Sequence, residues 1–221
     1  HFTKEPEPIF YPAGDNMTAY EWPGGVEDPR IVESEDGTYI LTYTSYDGKT
    51  ARLCLATSKD LRTWEKHGLV LGEGKYRDTW SKSGAIVSRL ENGRIIASGT
   101  KLKLMQEGGG FLKYFCMATS DDLIHWEAVE NSESGRMISV LHPRPGYFDS
   151  RLVEPGPYAL VRDMGILLIY NASNASGNND PALPRFTYAA GQALFDPERP
   201  YRLTGRTNGY FIFPDKPYEL T

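Results

Sequence analysis

Three clusters of charged side chains carry the residue types that chemistry would need. The first is Gly24-Gly25-Val26-Glu27-Asp28-Pro29-Arg30, with two acids and an Arg around a Pro. The second, Asp78-Thr79-Trp80-Ser81-Lys82-Ser83-Gly84-Ala85, carries an acid and a cation. The third runs from Arg144 to Pro157 and holds Asp149 and Glu154. Each precedes an apolar stretch with strand character. Carboxylates delivered from separate places to one pocket suit general acid/base work. Tyr20, Trp22, Tyr46, Trp80, Tyr147 and Tyr170 lie near these segments, and aromatic faces of this kind stack on sugars. The histidines, His1, His67, His125 and His142, are scattered and form no ligand pair. Cys54 and Cys116 have no CxxC context, so no metal site and no disulfide is expected.

The elements that position these clusters follow from an internal repeat. Residues 54–65 read CLATSKDLRTWE and residues 116–127 read CMATSDDLIHWE, which share C-x-A-T-S-x-D-L-x-x-W-E. Upstream of the copies lie glycine turns that open strands, at Gly37-Thr-Tyr-Ile-Leu-Thr-Tyr and Gly93-Arg-Ile-Ile-Ala-Ser. A third such turn opens Gly165-Ile-Leu-Leu-Ile-Tyr, whose partner is the degenerate segment from Tyr188 to Asp196. Shorter strands precede each turn, at Arg30–Glu33, Ala85–Arg89 and Tyr158–Val161. Strand, Gly turn, strand, loop, strand, Asp turn, strand is the pattern of a propeller blade. The Asp60-Leu61 and Asp122-Leu123 turns lead into outer strands at Trp64 and Trp126. The two cysteines occupy equivalent apolar positions and read as buried thiols. Repeat symmetry places all three charged clusters at one mouth of the ring.

The chain has 221 residues, which suits one domain. A net charge of −5 argues against nucleic acid or an anionic membrane as partner. The longest apolar run, around Ile166–Tyr170, is far too short to span a bilayer. With 14 Tyr, 9 Phe, 22 Gly and 15 Pro, the composition favours strands and turns over helices. The fold class is all-β. His1-Phe2-Thr3-Lys4 resembles the outer-strand segment at His125, and Pro217–Thr221 lies near another outer strand. Three blades are thus accounted for. A closed propeller needs at least four, so residues 1–221 are expected to be part of a longer propeller domain, or of a ring completed by another subunit. The Asn-x-Ser/Thr triplets at Asn16, Asn171 and Asn174 are read as chance.

Several motifs together resemble glycoside hydrolase family 130. They are Gly-x-Glu-Asp-Pro-Arg-Ile at 25–31, Tyr-Asp-Gly-Lys-x-Ala-Arg-Leu at 46–53, Ala-Thr-Ser-x-Asp-Leu at 56–61 and Asp-Ser-x-Leu-Val-Glu-Pro-Gly-Pro at 149–157. The resemblance implies a five-bladed β-propeller acting on β-mannosides with inversion, of which this chain supplies about three blades. It implies the general-acid role for Asp28. It also implies a bacterial glycan-degrading enzyme, periplasmic or secreted, with the cytoplasm as the alternative. No metal or organic cofactor is implied.

The family contains phosphorylases and hydrolases. An inverting hydrolase needs a second carboxylate to activate water, whereas a phosphorylase needs cations to hold phosphate. The phosphorylase pattern has Val-Gly-x-Gly-Pro-Pro and Tyr-His-Gly where this chain has Val153-Glu154-Pro155-Gly156-Pro157 and Tyr170-Asn171-Ala172. A carboxylate is therefore gained and a phosphate-binding His lost. This favours hydrolysis, with Glu154 as the base. Arg30, Tyr46, Asp47, Arg52, Lys82, Asp149 and Asn171 then orient the manno-oligosaccharide. The competing account of Glu154 is a structural carboxylate paired with Arg151 or Arg144. The rivals for function are a phosphorylase releasing mannose 1-phosphate, a carbohydrate-binding propeller without catalysis, and a glycosidase for arabinosides or fructosides.

Overall fold

Residues 3–97, 102–108 and 114–219 are described by the computed structural model. Their regular structure is almost entirely β-strand. The one α-helix, α1 (Thr18–Glu21), is a single turn. The first four strands, β1 (Gly25–Glu33), β2 (Tyr39–Tyr46), β3 (Ala51–Ser58) and β4 (Glu65–Leu69), make an antiparallel meander. A second unit holds β5 (Ser81–Glu91), β6 (Arg94–Ala97), β7 (Leu102–Gly108), β8 (Tyr114–Ser120), β9 (Glu127–Ala128) and β10 (Ser139–Leu141). Here β6 and β7 share one role, since one pairs with each half of β5. The third unit holds β11 (Leu152–Pro155), β12 (Ala159–Arg162), β13 (Gly165–Ser173), β14 (Tyr188–Phe195) and β15 (Leu203–Arg206). There β11 and β12 both pair with β13, so they act as one interrupted first strand.

Short parallel bridges join the units: Glu33 of β1 to Ile96 of β6, and Ala159–Leu160 of β12 to Val87–Ser88 of β5. The architecture is all-β and propeller-like, as the repeat predicts, and no closed ring is formed among the described residues. The readings at His1 and Thr221, and the end of the strand at Ser98, fall outside the described residues.

Alternation along the strands builds the cores between units. Ala85 and Val87 of β5 join Phe115, Met117, Leu168, Tyr170 and Phe195 between the second and third units. Ile86, on the other face of β5, joins Leu53, Leu55, Val70 and Trp126 between the first and second. Gly191 is needed here, because a Cβ on it would sit 2.5 Å from the Tyr170 ring. Cys54 and Cys116 are both free and buried, and desolvation pushes their thiols up to about 12.

The repeated sequence has a repeated local structure. Leu61 and Leu123 both adopt positive φ, 62° and 68°. Ser58 Oγ accepts from the Leu61 amide at 2.9 Å, and Ser120 Oγ from the Leu123 amide at 2.9 Å. Asp60 accepts from the amides of Arg62 and Thr63, as Asp122 does from Ile124 and His125. The Ser-x-Asp-Leu signature is therefore a side-chain-capped turn, which explains its recurrence.

Candidate active site

Asp28, Lys82 and Glu154 lie inside the first strands rather than before them, whereas Asp78, Arg144 and Asp149 do precede theirs. Sequence reading misplaced those boundaries because each first strand is broken at the cluster. In β1 the register passes from Glu27 opposite Thr44 to Arg30 opposite Thr42, leaving one residue extra at Asp28-Pro29. In β5 it passes from Lys82 opposite Glu107 to Gly84 opposite Gln106, leaving Ser83 extra. Asp28 and Ser83 both adopt positive φ, 53° and 51°. Asp is among the few non-glycine residues that tolerate this region. Bulges of this kind re-aim a side chain, and Pro29 has no N–H to leave unpaired there.

The two bulges meet. Around Oδ2 of Asp28 stand Lys82 Nζ at 3.4 Å, the Ser83 hydroxyl at 3.4 Å and the Thr44 hydroxyl at 3.5 Å. Lys82 also lies 3.5 Å from Glu27. The Asp28 side chain is about one-third exposed, at 35%. Thr44 and Ser83 were missed in the sequence. Ser83 could have been found as the repeat counterpart of Asp28, but a serine there carries no charge to attract attention.

Arg30 leaves the first unit and reaches the third. Its Nε donates to the Gly156 carbonyl at 2.5 Å, its Nη2 to the Pro155 carbonyl at 2.7 Å and its Nη1 to the Asp28 carbonyl at 2.8 Å. Asp28, Pro29, Arg30, Ile31, Gly156, Pro157 and Tyr158 line a cavity of about 380 Å³. That is the size range of small-molecule clefts. A larger cavity of about 550 Å³ lies between Glu35, Asp36, Glu65, Asp121 and Asp122. None of the candidate catalytic or sugar-binding residues lines it, and neither does any Phe, Tyr or Trp.

Glu154 is directly opposite Asn171 across β11 and β13, and the Asn171 amide donates to its Oε1 at 2.7 Å. Both are half-buried. The ion pair with Arg144 or Arg151 does not form. Arg144 binds Asp149 at 2.8 Å, and Arg151 lies over the Phe186 ring at 4.9 Å.

The other candidates are held by partners of their own. Asp47 caps its own hairpin through the Lys49 and Thr50 amides and pairs with Arg52 at 2.6 Å. The Thr50 amide, with Arg52 and the Lys49 amide, holds its carboxyl down at about 2. Arg52 also binds Asp78 at 3.1 Å, and despite the cost of burial these acids raise its pKa. Tyr46 packs against Trp80 at 6.2 Å between ring centres. Gly24 makes room for it, since a Cβ there would fall 2.2 Å from the Tyr46 ring.

Asp149 is enclosed completely, with 0% of its side chain exposed, between Arg144, Arg206 and the Tyr170 hydroxyl. Tyr170 is itself core, and burial pushes its hydroxyl up to about 12. Trp22, Trp80 and Tyr147 keep exposed faces. Asn174 donates to the carbonyls of Asp180, Leu183 and Pro184 in the interior, in keeping with a chance glycosylation triplet. Among the described residues no helix is long and apolar enough to cross a membrane.

Comparison with known proteins identifies relatives along the entire chain. Residues 1–221 match the Glyco_hydro_130 family, described as beta-1,4-mannooligosaccharide phosphorylase. A 1,2-beta-oligomannan phosphorylase from Thermoanaerobacter sp. (strain X514) is 29% identical over 88% of this chain and 55% of its own length. A beta-1,2-mannobiose phosphorylase from the same organism is 26% identical over 89% of this chain and 55% of its own length. Among solved structures, a glycosyl hydrolase from Bacteroides ovatus superposes with a TM-score of 0.92 at 40% identity, covering 98% of this chain and 60% of that one. Another was reported with the finding that the GH130 family of mannoside phosphorylases contains glycoside hydrolases that target beta-1,2 mannosidic linkages in Candida mannan. It gives a TM-score of 0.94 at 38% identity, covering 99% of this chain and 61% of that one. The chain thus spans little more than half the length of the curated relatives it matches.

Proposed function

The chain belongs to glycoside hydrolase family 130, and from that we propose that it is the larger part of an enzyme that hydrolyses β-mannosidic linkages in manno-oligosaccharides with inversion. Its three units are then three blades of a five-bladed ring, a fraction that matches the 60–61% of the structural neighbours it covers. Asp28 protonates the glycosidic oxygen and Glu154 takes the proton of the attacking water. Tyr46, Asp47, Arg52, Lys82 and Asn171 shape the sugar site around them.

The observation that carries the reading is the Glu154 carboxylate. It is half-buried, held by the Asn171 amide, and no cation among the described residues lies within ion-pair distance of it. A carboxylate of this kind can accept a proton from water. The cations that a phosphate would need are engaged by acids, Arg52 by Asp47 and Asp78, and Lys82 by Glu27 and Asp28. The 38%-identical neighbour reported with the GH130 hydrolases points the same way.

Phosphorolysis is the second reading, favoured by the family description and by both curated relatives. In that case Glu154 is a sugar ligand, and Lys82 and Arg52 give up their acids to phosphate. The experiment is to offer the full-length protein β-1,2- and β-1,4-linked mannobiose, with and without inorganic phosphate. Free mannose formed equally in both conditions supports hydrolysis. Mannose 1-phosphate formed only with phosphate establishes phosphorolysis. Sugar binding without either product would make the propeller a binding module.

A further inference from the structure

We propose that Arg30 is a positioning residue that fixes Asp28 relative to Glu154, and not a sugar ligand. This rests on the acid and base roles given above. Three guanidinium donors are committed to backbone carbonyls, one in β1 and two in the third unit. The two carbonyls in the third unit belong to Pro155 and Gly156, the residues that directly follow Glu154. The carbonyl in β1 belongs to Asp28 itself. No ladder joins β1 to β11 or β12 among the described residues, because β1 pairs with β2 and β6.

At both ends of this link the regular ladder is interrupted, although the Gly156 amide still donates to the Ile169 carbonyl at 3.0 Å. Asp28 sits in a bulge at positive φ, and Gly156-Pro157-Tyr158 interrupts the third unit's first strand. Arg30 ties the two interruptions together with a rigid planar fork, which a lysine's single ammonium does not reproduce. The spacing it sets matters. An inverting hydrolase needs its carboxyl groups about 6.5–9.5 Å apart, so that a water fits beside the sugar. A shift of about 1 Å can cost about 100-fold in rate.

The test uses the full-length enzyme and the substrate the wild type cleaves. Arg30→Gln should lower kcat about 100-fold with KM within about twofold. Arg30→Lys should recover only part of the rate. In Arg30→Ala, millimolar guanidinium should restore part of kcat without moving KM, a response that a generally destabilised fold does not give. Should Arg30→Gln fail to fold, Arg30→Lys is read for the same split between kcat and KM. A raised KM with kcat kept would make Arg30 a sugar ligand, and unchanged kinetics would give it no role. Asp28→Asn and Glu154→Gln are run in the same assay. If both are inactive while Arg30→Gln keeps its kcat, only the positioning role falls. If either turns over like the wild type, the acid/base reading falls and takes the positioning role with it.

Discussion

At the scale of single residues, the same charge type does different work according to what surrounds it. Asp28 keeps one-third of its side chain exposed and gathers its neighbours on one oxygen. Asp28→Asn preserves its shape but removes the transferable proton. It should lower kcat about 10²–10⁴-fold while sugar binding, measured by calorimetry, stays within a few-fold. Asp149 was expected from the sequence to orient sugar, yet it lies at 0% exposure between two arginines. Asp149→Asn would leave those cations buried and uncompensated. It should cost about 3–5 kcal/mol in denaturant unfolding, far beyond any effect on KM. An unchanged midpoint would mean that the arginines find water. The residues were legible in the sequence by type, since the acids stand out in short motifs. Their exposure was not, because the enclosure of Asp149 depends on Arg206 and Tyr170, which approach it only after β13 and β15 have both paired with β14.

At the scale of elements, the repeat was legible because its turns are local. Ser58, Asp60 and Leu61 close their turn with bonds spanning two or three residues, and Ser120, Asp122 and Leu123 repeat it. The bulges at Asp28 and Ser83 were not legible, because an extra residue shows only against the register of a partner strand. The turn has a pH signature. The Thr63 and Arg62 amides hold the Asp60 carboxyl down at about 2. A carboxyl whose folded pKa lies below its unfolded value stabilises the fold above that unfolded value, and loses this as pH falls through the folded one. For Asp60 the window runs from 3.8 down to about 2. Asp60→Ala should therefore lower Tm at pH 7 by about 2–4 °C, with a difference that shrinks towards pH 2. A difference independent of pH would point to lost packing rather than lost charge. The two copies also differ at their tryptophans. Trp126 Nε1 donates to the Leu123 carbonyl at 3.0 Å, while Trp64 Nε1 is buried without a hydrogen-bond partner among the described residues. Replacing Trp126 with Phe strands an acceptor, whereas replacing Trp64 with Phe removes an unsatisfied donor. The first should lower Tm more than the second, and the reverse order would mean that ring packing outweighs the hydrogen bond.

At the scale of the whole molecule, β5 decides how the units hold together. Its alternation sends Ala85 and Val87 into the core shared with the third unit and Ile86 into the core shared with the first. Both cores draw on this strand, so the units are not independent modules that merely touch. The Arg30 link crosses from the first unit to the third in the same sense, and the candidate site lies along it. If this is correct, a cavity made in either core weakens one common transition. Ile86→Ala and Leu168→Ala, at 2% and 0% exposure, should each cost about 2–5 kcal/mol. Both should shift tryptophan fluorescence and far-ultraviolet dichroism together in denaturant. Leu90→Ala, at a position 52% exposed, should leave the midpoint almost unmoved. Should Leu168→Ala split the curve into two steps while Ile86→Ala does not, the third unit would unfold on its own. The geometry between Asp28 and Glu154 would then be set at a joint that opens before the rest of the fold, and it would depend on the Arg30 link more than on the core beneath it.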